Sequence, residues 1–364
     1  MQPIAENFLT GLYLLVSFGF NALSSDMEKE VTIYDIARIL EISPATVSRA
    51  LNDHPAINSK TKILIREKAN EMGYRSNTFA SNLRRRSTNT LGVIVPRLNS
   101  HFMSAVLAGM EQEANESGYN LLISQSLESV KREIANAKTM FNSRVDGLLV
   151  SVAYDTDTFE HFENFIKKDI PVLFFDRIID HPKCSGVVID NVLAGFEATS
   201  HLIRQGCKNI IHVTGNLKRN VYSGRLLGYQ RAMAENNLVL SEDLIFITDL
   251  SQEAGINTAQ RIDKIEIKPD GIFISNDICA VSCMKALTEK GYSIPADIAV
   301  VGFNNDPVSK VIEPNLTTIY YPGQQMGKVA VRSIVNHLKG TELIDVSGII
   351  TLSTELIVRG SSSR

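Results

Sequence analysis

Apolar positions recur at helical spacing between residues 31 and 75, then bunch into short unbroken runs from residue 90 onward. "TIYDIARILEI" opens at a Thr/Asp-rich start and sets Ile33, Ile36, Ala37 and Leu40 on one face, so it predicts an amphipathic helix. "SPATVSRALN" (43–52) predicts a second, with Ser43 as N-cap and Pro44 at the first helical position, where a missing N–H costs nothing. "NSKTKILIREKANEMGY" predicts a third that stops at Gly73. Three short helices make a small bundle.

From residue 90 the runs are "TLGVIVP", "YNLLISQS", "VDGLLVSV", "IPVLFFDR", "SGVVIDN", "NIIHVTG", "DLIFITDL", "DGIFISND" and "DIAVVGF". Each is rich in β-branched residues, and amphipathic segments separate most of them. That alternation predicts an α/β fold with parallel sheets covered on both faces. The direct strand-to-strand step at "VVIDN" points to two doubly wound lobes in tandem. The expected division is 1–30 as an apolar extension, 31–76 as the helical module and 77–89 as hinge and linker. A two-lobed body follows over 90–361, its first lobe about 90–189 and 320–345, its second about 190–319 and 346–361.

Charge sharpens this division. The net charge is −3, but residues 31–90 hold ten Lys/Arg against five Asp/Glu, so a +5 module precedes a remainder of −8. A basic module on an acidic body is the footprint of nucleic-acid binding. The apolar stretch "FLTGLYLLVSFGFNALSS" (8–25) has no positive residues before it, only Glu6, and is short of the ~20 apolar residues that span a bilayer. A signal peptide, a membrane anchor and sequence upstream of the working start compete for it; the expectation is that the working protein begins at Met27. Four cysteines give no disulfide framework. Cys279 and Cys283, four apart on one helix face with no His or acidic cluster nearby, read as small buried hydrophobes, so neither metal nor cofactor is expected. This usage fits a reducing, cytoplasmic compartment.

Two short helices joined by a turn, the second opening "SPATVSR", have the spacing of a helix-turn-helix, whose second helix lies in the major groove. Ser, Thr and Arg there suit phosphates and base acceptors, and Ala45 suits a thymine methyl. A three-helix scaffold without a DNA role satisfies the same spacing. In open α/β sheets ligands bind beyond the carboxyl ends of strands. Asp176, Arg177, Asp190, Asn191, Asn276, Asp277, Asn304, Asn305 and Asp306 gather at such ends. Their paired hydrogen-bonding forks suit a hydroxyl-rich ligand.

"TIYDIARILEISPATVSRALN" and "GYRSNTFASNLRRRSTNTLGVIVP" resemble the start of the lactose-repressor (LacI/GalR) family of bacterial regulators. The resemblance continues through "DGLLV", "PVLFFDR", "GRLLGYQRAM", "GIFISND", "DIAVVGFNND", "NLTTI" and "STELIVRGSS", covering roughly residues 31–361. It implies a helix-turn-helix with a hinge helix, followed by a two-lobed body like the periplasmic binding proteins. It also implies a homodimer on a near-palindromic double-stranded operator, released or recruited by a small effector. The implied DNA contacts are Thr32, Tyr34, Ser43, Pro44, Ala45, Thr46, Ser48, Arg49, Asn52, Asn77, Ala80, Leu83 and Arg84. Pro44 and Ala45 hold the two positions that mostly set operator preference, yet neither has a hydrogen-bonding side chain. Specificity is therefore expected to lean on Arg49, methyl contacts and DNA shape.

The implied hinge helix spans 77–85, with Leu83 as a minor-groove wedge; Ser76 replaces a proline common in relatives. Nine residues are too few for a stable isolated helix. An inserted Leu would kink the duplex for a few kcal/mol, offset by Arg84, Arg85 and Arg86 on phosphates. A solvated linker is the plainer reading of "RRR".

For the effector the resemblance points to Asn99, Ser100, His101, Phe102, Ser151, Asp176, Arg177, Asp190, Arg225, Asn276 and Asn304. Position 304 is often aspartate in relatives. Arg177 with Arg225 would place two guanidinium groups in one cleft, favouring a phosphate or carboxylate; alternatively Arg177 pairs with Asp176 or Asp190. The expected function is a transcriptional regulator, a repressor controlled by a sugar or sugar derivative, neutral or anionic. An extracellular sugar-binding receptor of the same two-lobed build is the alternative. An enzyme is not expected, because no G-x-S-x-G, Walker loop or strand-linked G-x-G-x-x-G occurs in the two-lobed region and no nucleophile stands with a base, so no catalytic residue is assigned.

Overall fold

The computed structural model describes residues 30–75, 87–179, 181–182, 185–266, 268–341 and 348–364. The chain divides into two compact units, Met1–Ser81 and Asn82–Arg364.

Among its described residues the first unit holds three helices, α1 (Ile33–Ile39), α2 (Pro44–Leu51) and α3 (Ser59–Glu71). Each starts where a side chain satisfies free backbone donors. Asp35 accepts from the Thr32 amide at 3.0 Å and its hydroxyl at 2.7 Å. Ser43 Oγ accepts from Thr46 N at 3.1 Å, and Asn58 Oδ1 from Thr61 N at 2.8 Å. Gly73 takes the left-handed conformation (φ +68°) that lets Tyr74 N close back on Ala69 O at 2.9 Å, ending α3. Ile36, Ala37, Val47, Ala50, Ile65 and Ala69 form the core, with Ile33 and Leu40 packed against it.

The second unit contains two six-stranded sheets among its described residues. The first holds β1 (Thr90–Val95), β2 (Asn120–Gln125), β3 (Gly147–Val150), β4 (Val172–Phe175), β5 (Ser185–Ile189) and β11 (Ile349–Leu352), in the order β11-β5-β4-β3-β1-β2 and parallel throughout. The second holds β6 (Ile210–Thr214), β7 (Ile245–Ile247), β8 (Gly271–Ile274), β9 (Ala299–Asn304), β10 (Thr317–Tyr320) and β12 (Glu355–Ile357), in the order β12-β10-β9-β8-β6-β7. Only β12 runs antiparallel, against β10. All nine strand runs of the sequence are present.

The sequence boundary assigned 346–361 to the second lobe, and here the structure differs. Ile349–Leu352 pair with Gly186–Ile189 in the first sheet. The chain therefore crosses between lobes after β5, after β10 and again between β11 and β12. A four-residue strand, three of its residues apolar, carries no mark of which sheet edge it completes.

Helices α4 (His101–Ser117), α5 (Val130–Asn142), α6 (Glu163–Ile166) and α11 (Gly323–Lys339) belong with the first sheet. With the second go α7 (Asn191–Arg204), α8 (Asn220–Glu235), α9 (Gln252–Lys264) and α10 (Asp277–Glu289). Gly195 and Gly228 let α7 and α8 touch backbone to backbone: a Cβ on Gly195 would collide with the Arg225 carbonyl. That close approach fixes where Arg225 can stand.

Candidate DNA interface and effector cleft

In the helical unit, α2 buries Val47 and Ala50 and turns the opposite face outward. Ser43, Ala45, Arg49 and Asn52 are exposed, while Pro44, Thr46 and Ser48 are half-buried. Ser43 Oγ is also 2.8 Å from Thr46 Oγ1, and Asn52 Nδ2 donates to Ser48 O at 2.7 Å. Tyr34 is 68% exposed, whereas Thr32 is engaged by Asp35. Three acidic side chains are paired inside the unit: Asp35 with Arg38 at 2.8 Å, Asp53 with Lys62 at 3.0 Å and Arg66 at 3.1 Å, Glu71 with Lys68 at 2.9 Å. Arg49 has no such partner among the described residues, so its guanidinium projects from the exposed face of α2 uncommitted. Asn77, Ala80, Leu83 and Arg84 lie outside the described residues.

In the second unit the lobes meet along the carboxyl ends of their strands. Asp176, just past β4, is buried in the left-handed region (φ +59°). Its carboxylate accepts from Ser151 Oγ at 3.1 Å and from Tyr321 OH at 2.7 Å. Phe102 stacks on Tyr321 with ring centroids 4.0 Å apart. Arg225, on α8, is buried: Nε donates to Asn191 Oδ1 and Nη1 to the Ser275 carbonyl, both at 3.0 Å. Its guanidinium carbon lies 3.5 Å from the Phe303 ring centroid. No carboxylate among the described residues forms an ion pair with it, and burial pulls its pKa below the usual arginine value.

The remaining expected contacts surround this centre. Asp190 is exposed and caps α7, accepting from Leu193 N at 2.8 Å; Asn276 caps α10, accepting from Cys279 N at 3.1 Å. Ser100 caps α4 through Met103 N at 3.5 Å, and Asn99 beside it is exposed. His101 reaches across the lobes to Asp306, Nδ1 to Oδ1 at 3.3 Å. Asn304 ends β9 with φ +115°, a strained conformation of the kind that collects at ligand sites.

Arg177 needs a correction. Its carboxylate partner is neither Asp176 nor Asp190 but Glu128, at 2.8 Å from Nη1. Nη2 donates to Tyr222 OH at 3.2 Å, and the guanidinium carbon sits 4.3 Å from the Tyr154 ring centroid. Arg177 and Arg225 do share the cleft, but Glu128 takes up the Arg177 charge.

Several residues here escaped the sequence reading. Asn220 donates to the Asp176 carbonyl at 3.0 Å and accepts from Ile178 N at 3.1 Å, stitching the lobes together. Lys218 pairs with Asp157 at 2.8 Å. Arg219 is only 5% exposed and its Nε finds no acceptor among the described residues; its nearest carboxylate oxygen, on Asp157, is 3.7 Å away. Burial pulls its pKa below the ordinary arginine value. All three lie in the "NLKRN" loop past the carboxyl end of β6, so the strand-end rule was the signal that could have found them. Cys279 and Cys283 are fully buried, and burial pushes the Cys279 thiol up to about 12.

A small helix-turn-helix unit joined to a two-lobed body with a polar interlobe cleft is the build of a DNA-binding transcriptional regulator. Residues 32–77 match the family model described as bacterial regulatory proteins, lacI family, and residues 199–362 match that of the periplasmic binding protein-like domain. Catabolite control protein A of Priestia megaterium is 31% identical over 333 residues, 91% of this chain and 99% of that protein. The ribose operon repressor of Haemophilus influenzae is 29% identical, covering 85% of this chain and 92% of that one. In fold, the chain is similar to a lac repressor dimer bound to operator and an anti-inducer, with TM-score 0.82 and 24% identity over 92% of this chain and all of that one.

The chain belongs to the LacI family of bacterial regulatory proteins. The extracellular-receptor alternative falls with this, because the DNA-binding module is part of the matched family. Among the described residues no helix is long and apolar enough to cross a membrane.

Proposed function

We propose that the protein is a cytoplasmic, homodimeric repressor without enzymatic activity, whose affinity for a near-palindromic operator is set by an anionic sugar derivative held between the lobes. The observation that carries the effector class is Arg225, buried with no ion-pair partner among the described residues, together with Arg219, buried just before α8, whose nearest carboxylate oxygen is 3.7 Å away. A buried charge needs compensation, and a ligand phosphate or carboxylate supplies it bidentately. Asp176, Asp190, Asn276 and Asn304 then take the hydroxyls, with Phe102 and Tyr321 as an apolar wall, while Ser151 orients Asp176.

On the DNA side α2 is the reading helix, with Ser43, Ala45, Arg49 and Asn52 facing bases and phosphates, and the segment 77–85 with Leu83 is the hinge. The dimer reading is supported by the dimeric state of the similar operator-bound lac repressor. Effector-driven movement of one lobe against the other would reposition the paired hinges, so the coupling is reciprocal between ligand and DNA.

The test is selection of genomic fragments by the purified chain, followed by binding titrations with neutral sugars, sugar phosphates and sugar acids. A fragment bound above random DNA, and shifted by an anionic sugar, is the expected result. Failure to prefer any fragment, or response to a purine alone, contradicts the reading.

A further inference from the structure

Where the chain enters the first lobe, one carboxylate collects four of the six donors that Ser87–Asn89 offers. Asp146, half-buried just before β3, accepts from Ser87 Oγ at 2.6 Å, Thr88 N at 2.8 Å and Asn89 N at 2.7 Å. The Thr88 hydroxyl is shared between Asp146 Oδ1 at 3.1 Å and the Arg144 carbonyl at 2.9 Å. The backbone is bound on both sides as well: Asp146 N donates to Thr90 O and Asn120 N to Asn89 O, each at 2.8 Å. Asn89 adopts φ +50°, a conformation Asn tolerates better than most residues, which turns its amide toward the same carboxylate.

Starting β1 would require far less than this. One half-buried carboxylate with three close charge-assisted bonds and a shared fourth fixes the position of Ser87–Asn89 on the lobe. In sequence, Ser87 follows Arg84 by three residues, a reach of about 10 Å even when fully extended. Fixing Ser87 therefore bounds how far Arg84 can lie from the lobe.

We propose that Asp146 is a positioning residue for DNA reading: it clamps Ser87–Asn89 to the first lobe, so that displacement of that lobe passes to the hinge segment instead of dissipating in a slack linker. This requires no particular effector and does not depend on the anionic-ligand reading. Asn at 146 would keep one acceptor but present its NH2 to the Asn89 amide, so the clamp opens while side-chain volume is kept.

The experiment uses the full chain and a duplex that the wild-type protein recovers from a random library. Asp146→Asn is expected to lower the ratio of affinity for that duplex over random DNA by about tenfold, and to speed hydrogen exchange at the Asn89 amide. The two-lobed body should melt within a few degrees of wild type. Ser87→Ala/Thr88→Val, which removes the hydroxyl bonds but keeps the two amide bonds to Asp146, should lose a smaller part of the same selectivity, and combining all three changes should lose little more than Asp146→Asn alone. If Asp146→Asn does not fold, this linker-side variant reads the clamp alone. Wild-type selectivity in either variant, or additive losses, would overturn the proposal.

Discussion

Tyr154 of the first lobe and Tyr222 of the second meet hydroxyl to hydroxyl at 3.1 Å, and Arg177 donates to the Tyr222 oxygen at 3.2 Å. Burial pushes the Tyr154 phenol far above its usual value, so that ring keeps its proton. The clasp thus ties the lobes by a hydroxyl–hydroxyl bond beside the Arg177–Glu128 pair. Tyr222→Phe should lower stability by about 1 kcal/mol, seen as a drop of a few degrees in melting temperature. Tyr154→Phe should cost a similar amount, and the double variant less than the sum, because both singles break the same bond. Full additivity in thermal melts would show that the hydroxyls are not coupled.

Arg219 offers a prediction of opposite sign. A buried guanidinium whose Nε finds no acceptor among the described residues, and which lies 3.7 Å from an exposed carboxylate, destabilises the empty protein. Arg219→Met should therefore raise the melting temperature, by the equivalent of about 1 kcal/mol. Millimolar inorganic phosphate should stabilise the wild type beyond a chloride control and leave the variant unmoved. A destabilised variant would mean the guanidinium is already well held.

The fully buried Asp277 carboxyl predicts a pH dependence. Burial raises its pKa from 3.8 to about 7, against the bonds from Thr318 Oγ1 and Asp306 N, each at 2.7 Å. Between those values the folded protein holds a proton that the unfolded chain has lost. Its contribution is therefore most favourable below pH 4 and declines as pH rises toward 7. Asp277→Asn should melt progressively higher relative to wild type from pH 4.5 to 7.5. A constant gap across that range in differential scanning calorimetry contradicts the assignment.

On the DNA side, Arg49 is the exposed cation of α2 and its side chain is uncommitted. Arg49→Ala should cost about 1–3 kcal/mol on a selected operator and relax the preference at one base position per half-site. Competition binding with single-base operator variants reads this. A uniform loss on all sequences, with a salt slope reduced by about one, would make Arg49 a phosphate contact instead.

What the sequence disclosed follows from where side chains are buried. Strands covered on both faces read as apolar runs, so "VDGLLVSV" and "DGIFISND" announced themselves. The Thr-rich β10 and the short edge strands β11 and β12 did not. The return of Ile349–Leu352 to the first sheet depends on a third crossing that no local pattern encodes. Asp176 and Asn276 were legible as strand-end residues, and Arg225 only through the resemblance to a known family. Glu128, Tyr222 and Arg219 were not, because their meaning arises only when two distant loops meet: the carboxylate holding Arg177 is 49 positions away, and Tyr222 is 45.

The central claim is that an anionic effector at the cleft controls operator affinity. Its most direct test is the operator dissociation constant of wild type and Arg219→Met, measured side by side against sugar phosphates, sugar acids and the parent neutral sugars. The account predicts that one anionic ligand shifts the wild-type constant by about tenfold or more, that its neutral parent does not, and that Arg219→Met still binds operator but no longer responds. Equal responses of wild type and variant, or a response to the neutral sugar alone, would contradict it.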